Sequence, residues 1–173
     1  SVRKNPIVGI VPILNGCNYF CTFCSTKLVK GKLFSYPMDA IRQDVKEHLK
    51  AGCKEIWITS NDTGAYMVEQ GGKQKLVELL EQILSIPIDF KLRLGMMNPG
   101  NTLAILEELI EIYKHPKMFK FLHIPLQSGN NEILRLMNRK YTAEDFIDIV
   151  EAFRKEIPEI TRSTDIIVGF PSE

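Results

Sequence analysis

The chain has 173 residues, 45% hydrophobic and 25% charged, the composition of a globular protein long enough to bury one sizeable core. Its 22 basic and 21 acidic residues leave a net charge of +1, which excludes a general field for attracting nucleic acid, so an RNA substrate would need some other hold. No apolar run approaches the roughly 20 residues of a membrane span and no signal-peptide pattern opens the chain, so a single cytoplasmic domain, residues 1–173, with reduced thiols and no membrane contact is expected.

Residues 7–13 form an apolar run of strand length that ends at Asn15-Gly16. Directly after it come Cys17-Asn18-Tyr19-Phe20-Cys21-Thr22-Phe23-Cys24, with three of the four cysteines in a Cys-x3-Cys-x2-Cys spacing. Thiolates this close can hold one metal centre together, and iron–sulfur clusters are bound by cysteines in short, fixed spacings. A cubane has four irons, so three cysteines leave one iron open to a substrate or cofactor, as a catalytic zinc keeps one position open. The rival is a structural zinc site. It would want four ligands, usually in two pairs, and His48, His115 and His123 show no zinc-type spacing from the loop. A disulfide framework does not suit a core-forming chain of this size, and Cys53 reads as a small buried hydrophobe at a helix-to-strand turn.

The basic stretch 27–32 is expected to be a solvated loop, with a phosphate-facing role as the alternative. Pro37 opens a helix in which Ile41, Val45 and Leu49 recur until Gly52 stops it. Residues 54–60 alternate as a second strand, ended by Asn61-Asp62-Thr63-Gly64. Beyond the loosely polar residues 69–73, a helix carries Leu76, Leu79, Leu80 and Ile83 up to Pro87, and residues 90–94 make a third strand. Asn101-Thr102 can cap the next helix, which carries Leu103, Leu106, Leu109, Ile110 and Tyr113 and breaks at His115-Pro116. A fourth strand over 119–126 precedes two helical pieces, one around Ile133, Leu134 and Met137, the other opening at Thr142 and carrying Phe146, Ile149, Val150 and Phe153. A fifth strand covers 161–169, with Ile166, Ile167 and Val168 as its apolar centre.

Five alternations of strand and helix argue for parallel strands with right-handed crossovers. Five strands are too few for a closed eight-stranded barrel, so the expected fold class is α/β, an open or partial (β/α) barrel. In such folds the site lies at the C-terminal ends of the strands. There this sequence places its cysteines, then Asn61 and Asp62, Asn98, Gln127 and Ser128, and Gly169.

Cys21-Thr22-Phe23-Cys24, with its aromatic before the last cysteine, resembles the signature of radical S-adenosylmethionine (SAM) enzymes. Four further stretches narrow the likeness: Thr59-Ser60-Asn61-Asp62-Thr63-Gly64-Ala65-Tyr66, Leu92-Arg93-Leu94-Gly95-Met96-Met97-Asn98-Pro99, His123-Ile124-Pro125-Leu126-Gln127-Ser128-Gly129 and Thr164-Asp165-Ile166-Ile167-Val168-Gly169-Phe170-Pro171. They resemble the tRNA methylthiotransferases, in the archaeal and eukaryotic branch that acts on threonylcarbamoyladenosine. That resemblance implies a six-unit partial barrel of the radical SAM type, truncated here after about five strand–helix units. It implies that Cys17, Cys21 and Cys24 hold a [4Fe–4S] cluster whose open iron is chelated by the amino and carboxylate groups of SAM, and that reduction yields a 5′-deoxyadenosyl radical.

Under this resemblance Phe23 packs on adenine or lids the cluster. Arg93 binds the SAM carboxylate or faces a buried acid. Arg162 and Asp165 contact SAM or form salt bridges. Asn61, Asp62 and Gln127 bond ribose or the methionyl group, or cap their loops. His123 reads as a satisfied core histidine. The chain departs from the family at Met67 and at Ser172, where members usually have glycine.

Family members also carry an N-terminal domain with a second cluster and a C-terminal RNA-binding domain. Together with Ser1 in place of methionine and a stop at Glu173 directly after a strand, this leads us to expect a monomeric fragment of a longer chain. The full-length protein would bind tRNA and draw on an electron donor that the sequence does not name. The alternatives are isopentenyladenosine or a ribosomal protein as substrate, or a non-catalytic metal-binding module.

Overall fold

A computed structural model describes residues 5–71 and 73–173. Ser1 and Gly72, used in the sequence reading above, lie outside the described residues. The strands are β1 (Val8–Pro12), β2 (Leu14–Asn15), β3 (Phe34–Ser35), β4 (Glu55–Thr59), β5 (Lys91–Leu94), β6 (Phe121–His123) and β7 (Thr161–Ser163). The helices are α1 (Thr26–Lys30), α2 (Met38–Lys50), α3 (Leu76–Leu84), α4 (Pro99–Leu103), α5 (Leu106–Lys114), α6 (Asn131–Leu136) and α7 (Ala143–Glu156).

The strands β1, β4 and β5 pair in parallel, with Ile10 opposite Trp57 and Trp57 opposite Arg93. The ladder continues loosely to β6. Leu92 donates its N–H to the Lys117 carbonyl at 2.8 Å and accepts from Phe119 at 2.9 Å, ahead of β6 itself. The last pair, β6 with β7, is again parallel, Leu122 opposite Arg162. Five parallel stations in chain order, the first four each followed by helical segments, are the expected α/β crossover pattern.

One face of the sheet is apolar because alternate residues point to it. Val11, Ile56, Ile58, Leu92, Leu94 and Leu122 are buried there in one core with Ile41, Val45 and Leu49 of α2, Leu79, Leu80 and Ile83 of α3, Leu109 and Tyr113 of α5, and Ile149 and Phe153 of α7. Tyr113 and Phe153 meet edge to face, ring centres 5.2 Å apart. β1 approaches α2 so closely that a Cβ at Gly9 would stand 2.7 Å from the His48 ring. Cys53 is buried at the turn after α2, as expected, its sulfur 4.0 Å from His48 Nδ1. The opposite face, with Ile10, Trp57, Arg93, Phe121 and His123, is only partly covered. We call it the open face.

Four expectations need correction. The fifth strand is only Thr161–Ser163, joined by a single further bridge between Gln127 and Ile166, and Ile166 and Val168 are exposed by 52% and 83% instead of forming an apolar centre. An apolar run such as Ile166-Ile167-Val168 looks the same at a sheet edge as inside it; only a neighbouring strand buries it. The fourth strand shrinks to Phe121–His123 because Pro125 has no N–H to donate.

The helix expected to be capped by Asn101-Thr102 starts earlier and is split. Asn98 caps it, accepting from Gly100 N–H at 2.9 Å, with Pro99 at the first turn, and the helix breaks at Ala104-Ile105 before α5. Finally, residues 27–32 are largely solvated, with Leu28 and Val29 85% and 77% exposed, but they are not a loop. Most of them form α1, and Lys27 folds inward to donate to the Cys17 carbonyl with its ammonium 4.8 Å from the Phe20 ring centre.

Candidate metal and cofactor site

The cysteine loop is shaped before its first thiol. Gly16 sits at φ +77, and a Cβ there would stand 2.1 Å from the Lys32 carbonyl oxygen, so only glycine lets the chain leave β2 along this path. The far side of the loop is fastened to the segment after α6. Thr22 donates its N–H to Met137 O at 3.2 Å and its hydroxyl to Leu136 O at 3.0 Å, and the Asn138 amide donates to Phe20 O at 2.8 Å. Asn138 adopts φ +58, a left-handed conformation that asparagine tolerates.

So held, Cys17, Cys21 and Cys24 line one cavity of about 120 Å³. Phe23, Asn61, Asp62 and Gln127, four of the residues expected to contact SAM, line the same cavity, together with Tyr19, Asn98 and Arg139, which the sequence did not single out as ligand contacts. Each sulfur has a polar neighbour. Tyr19 N–H donates to Cys17 Sγ at 3.4 Å, Arg139 Nη1 donates to Cys21 Sγ at 3.1 Å, and the Thr26 hydroxyl lies 3.2 Å from Cys24 Sγ. Arg139 is itself fixed by Tyr141, whose hydroxyl accepts from its Nε at 2.8 Å and donates to Leu126 O at 2.8 Å. Burial raises the Cys17 thiol above its ordinary range, against the pull of the Tyr19 N–H.

Asp62 is the polar hub under the loop. Its carboxylate accepts from Gly64 N–H at 3.1 Å, Asn98 N–H at 3.0 Å and Asn101 Nδ2 at 2.7 Å, while Asn101 Oδ1 accepts from the Tyr19 hydroxyl at 3.2 Å. The ends of β4 and β5 and the cysteine loop are thereby tied to one buried acid. Burial raises its pKa to about 6, even though three donors and the nearby Arg139 favour the charged form. Asp62 thus fills the loop-capping role set beside a ligand contact in the sequence reading.

Three predicted residues fall elsewhere. Arg93 stands on the open face between the rings of Trp57 and Phe121, 4.6 Å from each ring centre, with no acid paired to it among the described residues. Arg162 shares the helix side of its strand with Leu122 and lines a separate recess with Phe146 and Val150 of α7. Asp165 pairs with His123, Oδ2 to Nε2 at 3.0 Å, rather than with Arg162; His123 is therefore satisfied, but on the partly covered face instead of in the core.

The donor set fits an iron–sulfur cluster. Among the described residues no three His, Cys, Asp or Glu side chains close on a single point as ligands of one ion do. What fits is the chemistry of the donors: three thiols of one loop line one cavity, and a cubane takes one thiolate on each of its irons.

The Radical SAM superfamily model matches residues 11–173. The chain belongs to the radical SAM superfamily. It is 45% identical over 172 residues to the probable threonylcarbamoyladenosine tRNA methylthiotransferase of Methanothermobacter thermautotrophicus, covering 99% of this chain and 40% of that one. Its identity to the protein of the same name from Pyrococcus horikoshii is 51% over 164 residues, covering 95% and 38%. The chain thus spans about two fifths of the length of these curated relatives. The radical SAM methyltransferase TsrM of Kitasatospora setae superposes with a TM-score of 0.76 at 16% identity, covering 97% of this chain and 32% of that one; the likeness is one of fold. The five-station sheet is accordingly a partial (β/α) barrel of the radical SAM type. The radical SAM family implies a [4Fe–4S] cluster and SAM, and in this radical SAM domain the thiol-lined cavity lies where the strand ends of such a barrel place a site.

Proposed function

We propose that this radical SAM domain is the radical-generating core of a tRNA methylthiotransferase that adds a methylthio group at C2 of N6-threonylcarbamoyladenosine near the anticodon. The observation that carries the reading is the single cavity in which all three cysteines meet Asn61 and Gln127 at the strand ends and Arg139 from the turn after α6. The identity of 45% and 51% to the two archaeal relatives supports the choice of reaction.

When bound, the cluster and SAM supply one-electron chemistry that ends in a 5′-deoxyadenosyl radical. The chain's own residues hold and shield. Cys17, Cys21 and Cys24 would take three irons, with Arg139 and the Tyr19 N–H directed at sulfur. Phe23, 38% exposed at the cavity, offers an apolar face to adenine. Asn61 and Gln127 offer amide groups to the ribose or methionyl part. The cavity, about 120 Å³, is smaller than the 300–1,000 Å³ of small-molecule pockets, so it would hold only part of SAM.

The substrate in this reading is tRNA. A net charge of +1 supplies little grip on phosphate, so RNA affinity would come from the rest of the full-length protein. No helix among the described residues is long and apolar enough to cross a membrane, and a cytoplasmic setting keeps the thiols reduced for metal.

The test is mass analysis of tRNA nucleosides from cells lacking the gene. The methylthio form of threonylcarbamoyladenosine should vanish while the unmethylthiolated form accumulates. Loss of a methylthio group from isopentenyladenosine instead would replace the substrate, and intact tRNA would refute the reading.

A further inference from the structure

We propose that Arg93 is a carboxylate receptor on the open face and that it reads the threonyl carboxylate of the substrate. The inference rests on the methylthiotransferase reading and deepens it.

Alternation along β5 buries Leu92 and Leu94 and sends Arg93 to the open face. The neighbouring strands supply one ring each, Trp57 from β4 and Phe121 from β6, both centred 4.6 Å from the guanidinium carbon. The rings fix the cation and cover its surroundings, yet among the described residues no hydrogen bond or ion pair uses its N–H groups. The charged groups on the same face are engaged elsewhere: Glu55 accepts from Trp57 Nε1 at 3.1 Å, Asp165 pairs with His123, and Lys91 donates to Pro116 O at 2.8 Å. A partly buried guanidinium with open donors is poised for a planar anion, because its fork matches a carboxylate with two parallel bonds.

Threonine joined to adenosine through its nitrogen keeps a free carboxylate, whereas an isopentenyl group carries no charge. An arginine held by two aromatic rings, with no hydrogen bond or ion pair among the described residues, therefore separates the two nucleosides by chemistry. The SAM carboxylate belongs, by family resemblance, at the open iron beside the cysteines, in a cavity that Arg93 does not line.

Trp57 is the single tryptophan of the chain and adjoins Arg93, so its fluorescence reads this site with or without a cluster. We would titrate the chain with N6-threonylcarbamoyladenosine, its methyl ester, N6-isopentenyladenosine and SAM. The acid should perturb Trp57 and bind about tenfold or more tighter than the ester, the scale of a charge-assisted hydrogen bond. Arg93→Gln should abolish that preference, and Arg93→Lys, which keeps the charge without the fork, should retain part of it.

Equal affinity for acid and ester in the unsubstituted chain, or no binding of the acid, overturns the proposal without relying on any variant. SAM binding that depends on Arg93, with no preference for acid over ester, assigns the residue to the cofactor; the proposal then falls while the methylthiotransferase reading stands. Tighter binding of the isopentenyl nucleoside would overturn both.

Discussion

The guanidinium of Arg139 donates to the sulfur of Cys21 at 3.1 Å, although 118 positions separate them in the chain. The hydrogen bond places a fixed positive charge against one ligand of the proposed cluster. Hydrogen bonds and charge at the sulfurs help set a cluster's reduction potential, and a nearby cation favours the more negative, reduced form. Arg139→Gln should therefore lower the potential, on the order of 50 mV if about 1.4 kcal/mol of differential stabilisation is lost. Potentiometric titration followed by electron paramagnetic resonance measures it. An unchanged potential would mean that the arginine only braces the loop.

Asp62 makes stability depend on pH. Its pKa is raised from 3.8 to about 6, so its contribution is fully present below about pH 4 and is lost as the pH rises through about 6. Urea unfolding at pH 4 and pH 7 should reveal a difference of up to about 3 kcal/mol from this group. Asp62→Asn, which cannot ionise, should flatten that dependence. It also sets an amide NH2 against the Asn101 donor and should cost about 1–3 kcal/mol at pH 4.

How far the sequence showed these features depends on distance along the chain. Cys17, Cys21 and Cys24 are close in sequence, so their spacing alone pointed to the one cavity they line. Ile56 and Ile58 alternate with Trp57, so β4 declared its two faces. Nothing local to Arg139 or Asn138 announces that the turn after α6 comes back to the cysteine loop. Nor could alternation tell that Arg162 points toward α7 while Arg93 points to the open face, because that depends on which side the helices cover. The two departures from the family pattern gain a physical meaning: Met67 and Ser172 stand at φ +63 and +77, the left-handed region where glycine is the natural residue.

Gln127 carries the same backbone strain inside the site. It lines the cavity at φ +73, where a side chain costs about 1–2 kcal/mol, only partly offset by the entropy that glycine loses on folding. Gln127→Gly should leave the protein equally or slightly more stable, by up to about 1 kcal/mol, and should weaken SAM binding. Thermal unfolding and equilibrium dialysis with SAM separate the two effects. Undiminished SAM binding would remove Gln127 from the proposed contacts.

Gly16 tests the loop itself. Gly16→Ala forces a Cβ toward the Lys32 carbonyl at a positive φ, with a cost of at least about 2 kcal/mol. Because the strain sits at the loop entrance, iron incorporation should fall more steeply than helix content by circular dichroism. Parallel loss of both would place the glycine in the core of the fold instead.

Three thiols, on this reading, hold a cluster with one open iron. The direct measurement is anaerobic reconstitution with iron and sulfide, followed by SAM and dithionite while 5′-deoxyadenosine is quantified. The expected result is about four irons with equal sulfide per chain and 5′-deoxyadenosine formation, both lost in Cys21→Ala. One tightly bound zinc with no iron, or a chain that assembles no cluster under any anaerobic condition, would contradict it.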